Sequence, residues 1–347
     1  MTHAPFRVDL TADFYDDAGR LKYADVGLDR LTATPGVVVG QFTEHHPEIR
    51  PEQLAGRQGV VVLTPRVTAQ SLSAAENLLA IARFGVGYDS VDVAACTAAD
   101  VVLCITAGAV DHSVAEATVG WMLALTHQVR TKDALVRESR WNDRSRHMGS
   151  ELRERTLGLV GFGGIGRAVV RLLSGFRMST PLVFDPYVSP EAVAAAGCRS
   201  VELDELLARS DFVSLHCPLN EQTRHLIGAR ELALMPPTAH LLNTARGGIV
   251  DEAALYDVLA ARRIAGAALD CFAVEPPNTP PRFAELDNVL LAPHSIAWTH
   301  ELFRDIGRCA CQSLVDLAHG RLPHGVVNRE VLERPSFQEK WQRLRLE

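Results

Sequence analysis

Three side chains in the last third of the sequence together suit the reduction of a keto acid by hydride. Arg246 carries a planar guanidinium, which can bind a carboxylate in a bidentate manner and polarise a carbonyl. His294 carries an imidazole, which exchanges a proton readily near neutral pH. Glu275 carries a carboxylate that can orient an imidazole and favour its protonated form. Each alone could be an ordinary surface or packing residue, so their meaning depends on the elements that hold them.

All three residues come soon after a predicted strand. Arg246 follows a strand predicted at 239–243, Glu275 one at 265–270 and His294 one at 289–292. Open α/β sheets bind ligands beyond the carboxyl ends of their strands. We therefore expect the three side chains at one edge of a sheet.

A glycine fingerprint in the middle of the chain predicts a nucleotide on that edge. The segment 156–166 reads Thr-Leu-Gly-Leu-Val-Gly-Phe-Gly-Gly-Ile-Gly. In the pattern Gly161-x-Gly163-x-x-Gly166, the first glycine allows the tight turn and the second lets the backbone approach a pyrophosphate. The third lets the helix pack close to the strand. The helix N-terminus then offers free N–H groups to the phosphates.

An acid at the end of the next strand specifies the nucleotide. Asp185 follows Leu182-Val183-Phe184, about 20 residues beyond Gly166. A carboxylate there accepts hydrogen bonds from the adenosine ribose and repels a 2′-phosphate. The sequence therefore predicts NAD as the cofactor, in preference to NADP.

The strands and helices alternate along the chain in the manner of a doubly wound α/β protein. Short, nearly continuous apolar runs are typical of parallel strands buried on both faces, and helical patterns separate them. Strands are predicted at 37–42, 59–63, 79–83, 101–106, 156–161, 181–185, 212–217, 239–243, 265–270 and 289–292, and helices at 115–125, 166–175 and 251–262. The polar segment 133–155 predicts an exposed helix and loop, and the residues from Asn328 onward predict a surface tail.

The composition fits an enzyme with a small-molecule substrate. The chain has 347 residues, 47% of them hydrophobic, and a net charge of −7, which disfavours a nucleic-acid surface. Its seven cysteines include no Cys-x-x-Cys pair and several lie in apolar runs, which favours a reducing cytoplasm. No secretion signal or membrane span is expected, and no metal site is predicted.

These residues and several further motifs resemble the D-isomer-specific 2-hydroxyacid dehydrogenases, the family of phosphoglycerate dehydrogenase and glyoxylate/hydroxypyruvate reductase. The resemblance covers roughly residues 55–325. It rests on Arg-Phe-Gly-Val-Gly-Tyr-Asp-Ser-Val-Asp at 83–92, Val-Ala-Glu at 114–116, and the segments 149–166, 216–220, 244–252, 265–277 and 293–298.

The resemblance implies specific roles for residues of this chain. Arg246 would bind substrate, Glu275 would pair with His294, and His294 would be the acid/base. Backbone N–H groups around Val86 and Gly87 would bind the substrate carboxylate. The NAD site would comprise Gly161, Gly163, Gly164, Ile165, Gly166, Asp185, Cys217, Thr223, Thr244, Ala245, Arg246, Asp270, His294 and Ala297.

The resemblance also implies a split architecture. A Rossmann NAD-binding domain at 108–298 would interrupt a flavodoxin-like substrate domain formed by 1–107 and 299–347, the latter including the C-terminal tail. Helices near 112–126 and 299–317 would be the two crossings. A homodimer through the NAD-binding domain is expected, with 133–155 as its arm.

The substrate and two other functions stay open at this point. Glyoxylate, hydroxypyruvate or glycerate, 3-phosphoglycerate and larger 2-keto acids all fit, and Trp298 could either narrow the substrate pocket or pack between elements. A formate or phosphite dehydrogenase on the same fold is disfavoured by Glu275, because formate enzymes lack the acid partner of the histidine. An NAD-sensing binding protein of the corepressor type would keep the same three residues, and the acidic charge argues against it.

Overall fold

A computed structural model describes residues 5–346 of the chain as two compact units. One unit is continuous and comprises Asp111–Ala297, and the other consists of the described residues before and after it. The domain boundaries predicted from the sequence lie after residues 107 and 298. Each unit has its own parallel sheet and its own core.

The first part of the chain forms a five-stranded sheet. Its elements are β1 (Phe6–Leu10), α1 (Asp29–Thr32), β2 (Val37–Gln41), α2 (Pro51–Leu54), β3 (Gly59–Val62), β4 (Ala80–Arg83), α3 (Val93–Ala98) and β5 (Val102–Cys104). All neighbouring strands are parallel, in the order β2-β1-β3-β4-β5. This is the flavodoxin-like order of a doubly wound sheet. Residues of β3 and β5 are buried throughout, as their apolar runs predict.

The continuous unit forms a seven-stranded sheet. Its elements are α4 (Asp111–Thr126), α5 (Val129–Arg137), β6 (Leu157–Val160), α6 (Gly164–Leu173), β7 (Leu182–Phe184), α7 (Pro190–Ala195), β8 (Arg199–Ser200), α8 (Leu203–Arg209), β9 (Phe212–Leu215), α9 (Ala229–Leu234), β10 (His240–Asn243), α10 (Glu252–Ala260), β11 (Gly266–Leu269) and β12 (Val289–Leu291). The strands are parallel in the order β12-β11-β10-β9-β6-β7-β8. The crossover from β8 to β9 reverses the order beside β6, which is the Rossmann arrangement and its ligand-binding switch point.

The chain then returns to the first unit through α11 (His300–Ala318) and α12 (Pro335–Leu344). Helix α11 contacts β3 and β4 and buries one face. Short 3-10 helices lie at Ala12–Phe14, Ser71–Ala74, Trp141–Arg146, Ser174–Phe176, Gly247–Ile249, Arg282–Glu285 and Arg329–Glu333. None of the helices within residues 5–346 combines the length and apolar character needed to cross a bilayer.

The predicted α/β class is confirmed, and each predicted strand contains an observed strand. Two strands were missed, β1 and β8. In β1 the basic Arg7 and the acidic Asp9 interrupt the apolar run. Strand β8 is a two-residue edge strand with no apolar side chain. The segment 133–155 forms the end of α5 and the 3-10 helix Trp141–Arg146, and its residues are mostly exposed, as predicted.

The residues from Asn328 onward are mostly exposed, as predicted, but they are not a loose tail: they fold into the 3-10 helix Arg329–Glu333 and α12, and a few of their side chains are buried. Phe337 and Trp341 lie one turn apart on α12 and are buried, and the indole N–H of Trp341 donates to the carbonyl of Leu317 at 2.7 Å. The buried Asn328 side chain accepts from the Leu103 N–H at 2.8 Å and donates to the Val101 carbonyl at 2.9 Å. A few large side chains at helical spacing therefore attach a mostly polar segment to the core.

Gly307 on α11 packs directly against the backbone at Val26. A Cβ at Gly307 would lie 2.0 Å from the Val26 carbonyl oxygen, which cannot move without shifting the chain. We expect Gly307→Ala to lower the free energy of unfolding by about 3 kcal/mol or more, since overpacking against backbone is costly. Urea denaturation measures it, with Gly120→Ala as the control. Gly120 lies on α4, and apart from its chain neighbours and its own helix backbone no atom of residues 5–346 lies within 4 Å of its Cβ position, so its substitution should be neutral or stabilising. Equal stabilities of the two variants would contradict this packing.

Candidate active site

The glycine fingerprint forms a tight turn between β6 and α6. Gly161 has φ of +95°, and a Cβ there would lie 2.7 Å from the carbonyl carbon of His216. A Cβ at Gly166 would lie 2.8 Å from the Gly161 carbonyl oxygen, so the helix and the turn are in close contact. Gly163, in contrast, has no atom of the described residues within 4 Å of its Cβ position. The turn is therefore closely packed at Gly161 and Gly166 and open at Gly163, as an approaching pyrophosphate requires.

Asp185 follows β7 and lies against this turn. Its carboxylate accepts hydrogen bonds from the N–H of Phe162 at 2.7 Å and from the N–H of Tyr187 at 2.9 Å. Each oxygen still has a second lone pair available for a ribose hydroxyl. Cys217, which follows β9, is close enough for the charge of Asp185 to act on it, although burial is the main reason that its thiol pKa rises to about 11. The Thr223 hydroxyl donates to the Pro218 carbonyl at 2.6 Å within the same loop.

The loop after β10 carries Thr244, Ala245 and Arg246. The side chain of buried Asn243 braces it, accepting from the Ala245 N–H at 3.1 Å and donating to the Arg246 carbonyl at 2.8 Å. The guanidinium of Arg246 donates to the Ala245 carbonyl at 2.7 Å and is half-buried. The buried hydroxyl oxygen of Thr244 has no hydrogen-bond partner among residues 5–346. An unsatisfied buried hydroxyl at the carboxyl end of a sheet strand fits a polar ligand such as a dinucleotide.

Gly247 joins this loop to the loop after β11. A Cβ at Gly247 would lie 2.0 Å from the carbonyl carbon of Phe272, so the two loops meet backbone to backbone. The second loop contains Glu275, whose carboxylate accepts from the Phe272 N–H at 2.7 Å. The loop that carries Arg246 is therefore in direct contact with the loop that carries Glu275.

Asp270 fixes the third loop, which follows β12. Its buried carboxylate accepts from the N–H groups of Ser295 at 2.8 Å and Ile296 at 3.1 Å, and its carbonyl accepts from the His294 N–H at 2.8 Å. Burial raises the pKa of Asp270 despite these bonds. His294 has φ of +52°, in the left-handed region that few residues other than glycine adopt. Asp270 therefore holds a strained turn that presents the imidazole.

The Glu275 and His294 side chains meet although they are far apart in sequence. Nδ1 of His294 lies 2.6 Å from Oε2 of Glu275. Burial by itself would raise the pKa of Glu275, but the hydrogen bonds from His294 and from the Phe272 N–H outweigh it and lower that pKa. The carboxylate is therefore anionic at neutral pH and orients the ring through Nδ1, which leaves Nε2 for a reacting group.

The predicted residues of the other unit lie on the loop that follows β4. Val86 and Gly87 are half-buried there, after Gly85, which has φ of +135° and accepts from the Thr106 N–H. Trp298 belongs to an aromatic cluster of the same unit. Its ring centre lies 5.1 Å from that of Phe303, which in turn lies 5.6 Å from Phe84, the residue before this loop. About half of the Trp298 side chain is exposed.

The remaining predicted residues also lie near the carboxyl end of the seven-stranded sheet. Gly164 and Ile165 open α6, and buried Ala297 follows the His294 loop. Two residues that position this site were missed in the sequence, Asn243 and Gly247. A polar Asn at the end of the apolar run Leu241-Leu242 was the available signal for the first.

Comparison with known proteins identifies the family. Residues 119–295 match the profile of the D-isomer specific 2-hydroxyacid dehydrogenase, NAD binding domain. The chain is 39% identical over 264 residues to D-3-phosphoglycerate dehydrogenase of Methanocaldococcus jannaschii, covering 76% of this chain and 50% of that protein. It is 37% identical over 279 residues to glyoxylate reductase of Thermococcus litoralis, covering 79% of this chain and 84% of that protein.

A solved structure agrees with these matches. The glyoxylate reductase from Paecilomyes thermophila superposes with a TM-score of 0.79 at 27% identity, covering 94% of this chain and 99% of that one. This chain spans about half the length of the archaeal phosphoglycerate dehydrogenases that it matches, 50% and 53%. The family profile matches the NAD-binding unit, and the alignment with glyoxylate reductase covers most of that protein's length. The chain therefore belongs to the D-isomer specific 2-hydroxyacid dehydrogenase family.

Proposed function

We propose that this protein is an NAD-dependent oxidoreductase that interconverts a D-2-hydroxy acid and its 2-keto acid. The observation that carries the proposal is the 2.6 Å contact between Glu275 and His294. It lies at the same sheet edge as the glycine turn and Arg246, so an oriented acid/base pair accompanies a nucleotide-binding turn.

Different residues of the chain bind different parts of the cofactor. NADH, when bound, supplies the hydride that reduces C2 of the keto acid. The open backbone at Gly163 and the first N–H groups of α6, at Gly164 and Ile165, bind the pyrophosphate. Asp185 accepts from the adenosine ribose, and the Thr244 hydroxyl gains a partner. Gly161, Gly166, Cys217, Thr223, Ala245, Arg246, Asp270, His294 and Ala297 complete the cofactor site.

A cation and a proton donor act on the reacting end of the substrate. Arg246 binds the substrate and polarises its carbonyl. Protonated His294 donates its Nε2 proton to the carbonyl oxygen as the alkoxide develops, and Glu275 stabilises the imidazolium before the transfer. In the oxidative direction the neutral imidazole accepts the hydroxyl proton.

A panel of 2-keto acids tests the proposal and identifies the substrate. Glyoxylate, hydroxypyruvate, 3-phosphohydroxypyruvate and larger 2-keto acids are each offered with NADH and with NADPH, and the absorbance of the reduced cofactor is followed. At least one keto acid should oxidise NADH. NADH binding without turnover of any keto acid would instead support an NAD-sensing binding protein, and NAD reduction by formate or phosphite would support a dehydrogenase of that kind.

Replacing Asp185 should weaken the preference for NADH. We expect Asp185→Ala to lower kcat/KM for NADH by about tenfold or more, because a hydrogen bond to a charged acceptor contributes roughly 1.5–3 kcal/mol. The value for NADPH should rise, since the charge that repels a 2′-phosphate is gone. Asp185→Asn is the matched variant, because it keeps an oxygen for the Phe162 N–H. A wild-type protein that already prefers NADPH would contradict the role of Asp185.

We further propose that two copies associate through the NAD-binding unit. Val129, Val136, Trp141 and Met148 all lie on the segment 129–148 and are more than half exposed. Both ends of this segment, at Arg130 and at Met148, line a cavity of about 550 Å³ together with His240 and Asn288. Exposed apolar side chains beside an open cavity are typical of a surface that a second protein covers.

Replacing Trp141, whose side chain is 61% exposed, should separate the copies. Trp141→Glu places a charge in a desolvated contact, so we expect the mass measured by light scattering to fall from two chains to one. Leu322→Glu is the control, since Leu322 is 66% exposed but belongs to the other unit. A wild-type mass of one chain would rule the association out.

A further inference from the structure

The catalytic pair has a third neighbour that the proposed reaction does not use. Cys271 lies in the loop after β11, and one ligand atom from each of Cys271, Glu275 and His294 lies within 4.8 Å of the other two. The Cys271 side chain is buried, and its thiol donates only a weak hydrogen bond, 3.4 Å long, to the Ala245 carbonyl. Sulfur, nitrogen and carboxylate oxygen together form the donor set that Zn²⁺ prefers.

The charges around this cluster favour a divalent cation. Asp270 and Glu252 are both close enough to Glu275 for their charges to interact, and the charge of Asp270 also acts on Cys271. Arg246 is the opposing cation near Cys271 and also acts on Glu275, and His225 lies close enough to act on Glu252. The carboxylates therefore outnumber the guanidinium, and a bound dication would reduce a net negative charge.

The geometry determines what such a cation would do. Two light-atom ligands of a tetrahedral zinc stand about 3.3 Å apart, given bonds of about 2.0–2.1 Å. The Glu275–His294 pair is closer than that, at 2.6 Å, because a hydrogen bond now joins it. A metal bound by both side chains must therefore replace this hydrogen bond. The thiol proton and any imidazole proton displaced would pass to solvent.

We infer that Cys271, Glu275 and His294 form an inhibitory site for Zn²⁺. Occupancy removes the hydrogen bond that orients His294 and stops proton transfer, while the fourth coordination position stays with water. The metal takes no part in turnover. The inhibition rests on the proposed function, but metal binding by the three side chains does not.

Cobalt tests the binding without reference to activity. The protein, freed of metal with a chelator, is titrated with Co²⁺, and the near-ultraviolet charge-transfer band of a Co²⁺–thiolate bond is followed. We expect the wild type to give this band and Zn²⁺ to remove it. Cys271→Val should give no band, and Cys271→Ala serves as a second variant if valine disturbs folding. Cys309→Val is the matched control, because Cys309 is a half-buried thiol of the other unit.

An activity measurement tests the inhibition. Zn²⁺ should inhibit the wild type, and a chelator should restore it. Cys271→Val should keep its basal turnover and need at least about tenfold more Zn²⁺ for the same inhibition, since even outer partners of a metal site change affinity by 10–100-fold. The inference would be overturned by any of three results: the wild type gives no cobalt band, the band persists in both Cys271 variants, or Cys271→Val is inhibited by the same Zn²⁺ concentration as the wild type. A clear band in a protein that reduces no keto acid would leave the metal site standing and refute the proposed function.

Discussion

His294→Ala is expected to abolish turnover while NADH binding stays close to that of the wild type. Nδ1 of His294 is bonded to Glu275, so Nε2 is the nitrogen available to the substrate oxygen. Loss of a positioned acid/base lowers kcat by about 10²–10⁴-fold. The turn that holds residue 294 depends on hydrogen bonds from backbone N–H groups to Asp270, so removing the imidazole leaves the loop in place. Steady-state rates give the loss of kcat, and fluorescence titration with NADH gives the retained affinity.

His300→Ala is the control for this variant. His300 is an exposed histidine at the start of α11, and no catalytic role is proposed for it. Its replacement should leave both kcat and NADH affinity unchanged. If His294→Ala kept wild-type activity, the acid/base would have to be another residue. If it lost NADH binding as severely as turnover, its effect would come from the cofactor site, to which His294 also belongs, rather than from proton transfer.

The strands could be predicted because burial on both faces leaves a strong trace in the sequence. Runs such as Gly59–Val62 and Phe212–Leu215 are buried at every position, which is the condition that selects continuous apolar residues. The edge strand β8, Arg199–Ser200, is not buried on both faces, so the sequence has no apolar run at this place. The helix α12 was also missed, since only two large apolar side chains among polar and mostly exposed ones pack it against the core.

The types of the site residues could be predicted, but their contacts could not. The order of strands followed by Arg246, Glu275 and His294 placed all three at one sheet edge. Their distances depend on loops whose shape comes from long-range contacts, such as Gly247 against Phe272. Hydrogen bonds from Asn243 and to Asp270 add to this, and neither is visible as a local pattern. The proximity of Cys271 to Glu275 and His294 has the same origin.

Glu275→Gln is expected to lower kcat in both directions by about 10²-fold or more and to change the pH profile in a defined direction. An amide can still contact Nδ1, but it no longer fixes the tautomer or stabilises the imidazolium. With the anion gone, the protonated form of the pair persists only to lower pH. The alkaline limb of the reductive profile should therefore move to lower pH, and the acidic limb of the oxidative profile should move the same way.

The pKa of Glu275 sets the range over which this difference appears. Because hydrogen bonds from His294 and Phe272 hold that pKa low against the effect of burial, the wild-type carboxylate stays charged through the neutral range. The difference in kcat between the wild type and Glu275→Gln should thus be largest at neutral pH and become smaller as the pH falls through the pKa of Glu275. Glu252→Gln is the control, since Glu252 is a neighbouring carboxylate that bonds the Ala273 N–H instead of the imidazole. It should move the limbs less. If both variants displaced the limbs of the pH profile equally, the general negative charge of the site, and not the bond to His294, would control proton transfer. If the limbs stayed in place in Glu275→Gln, Glu275 would have no role in proton transfer.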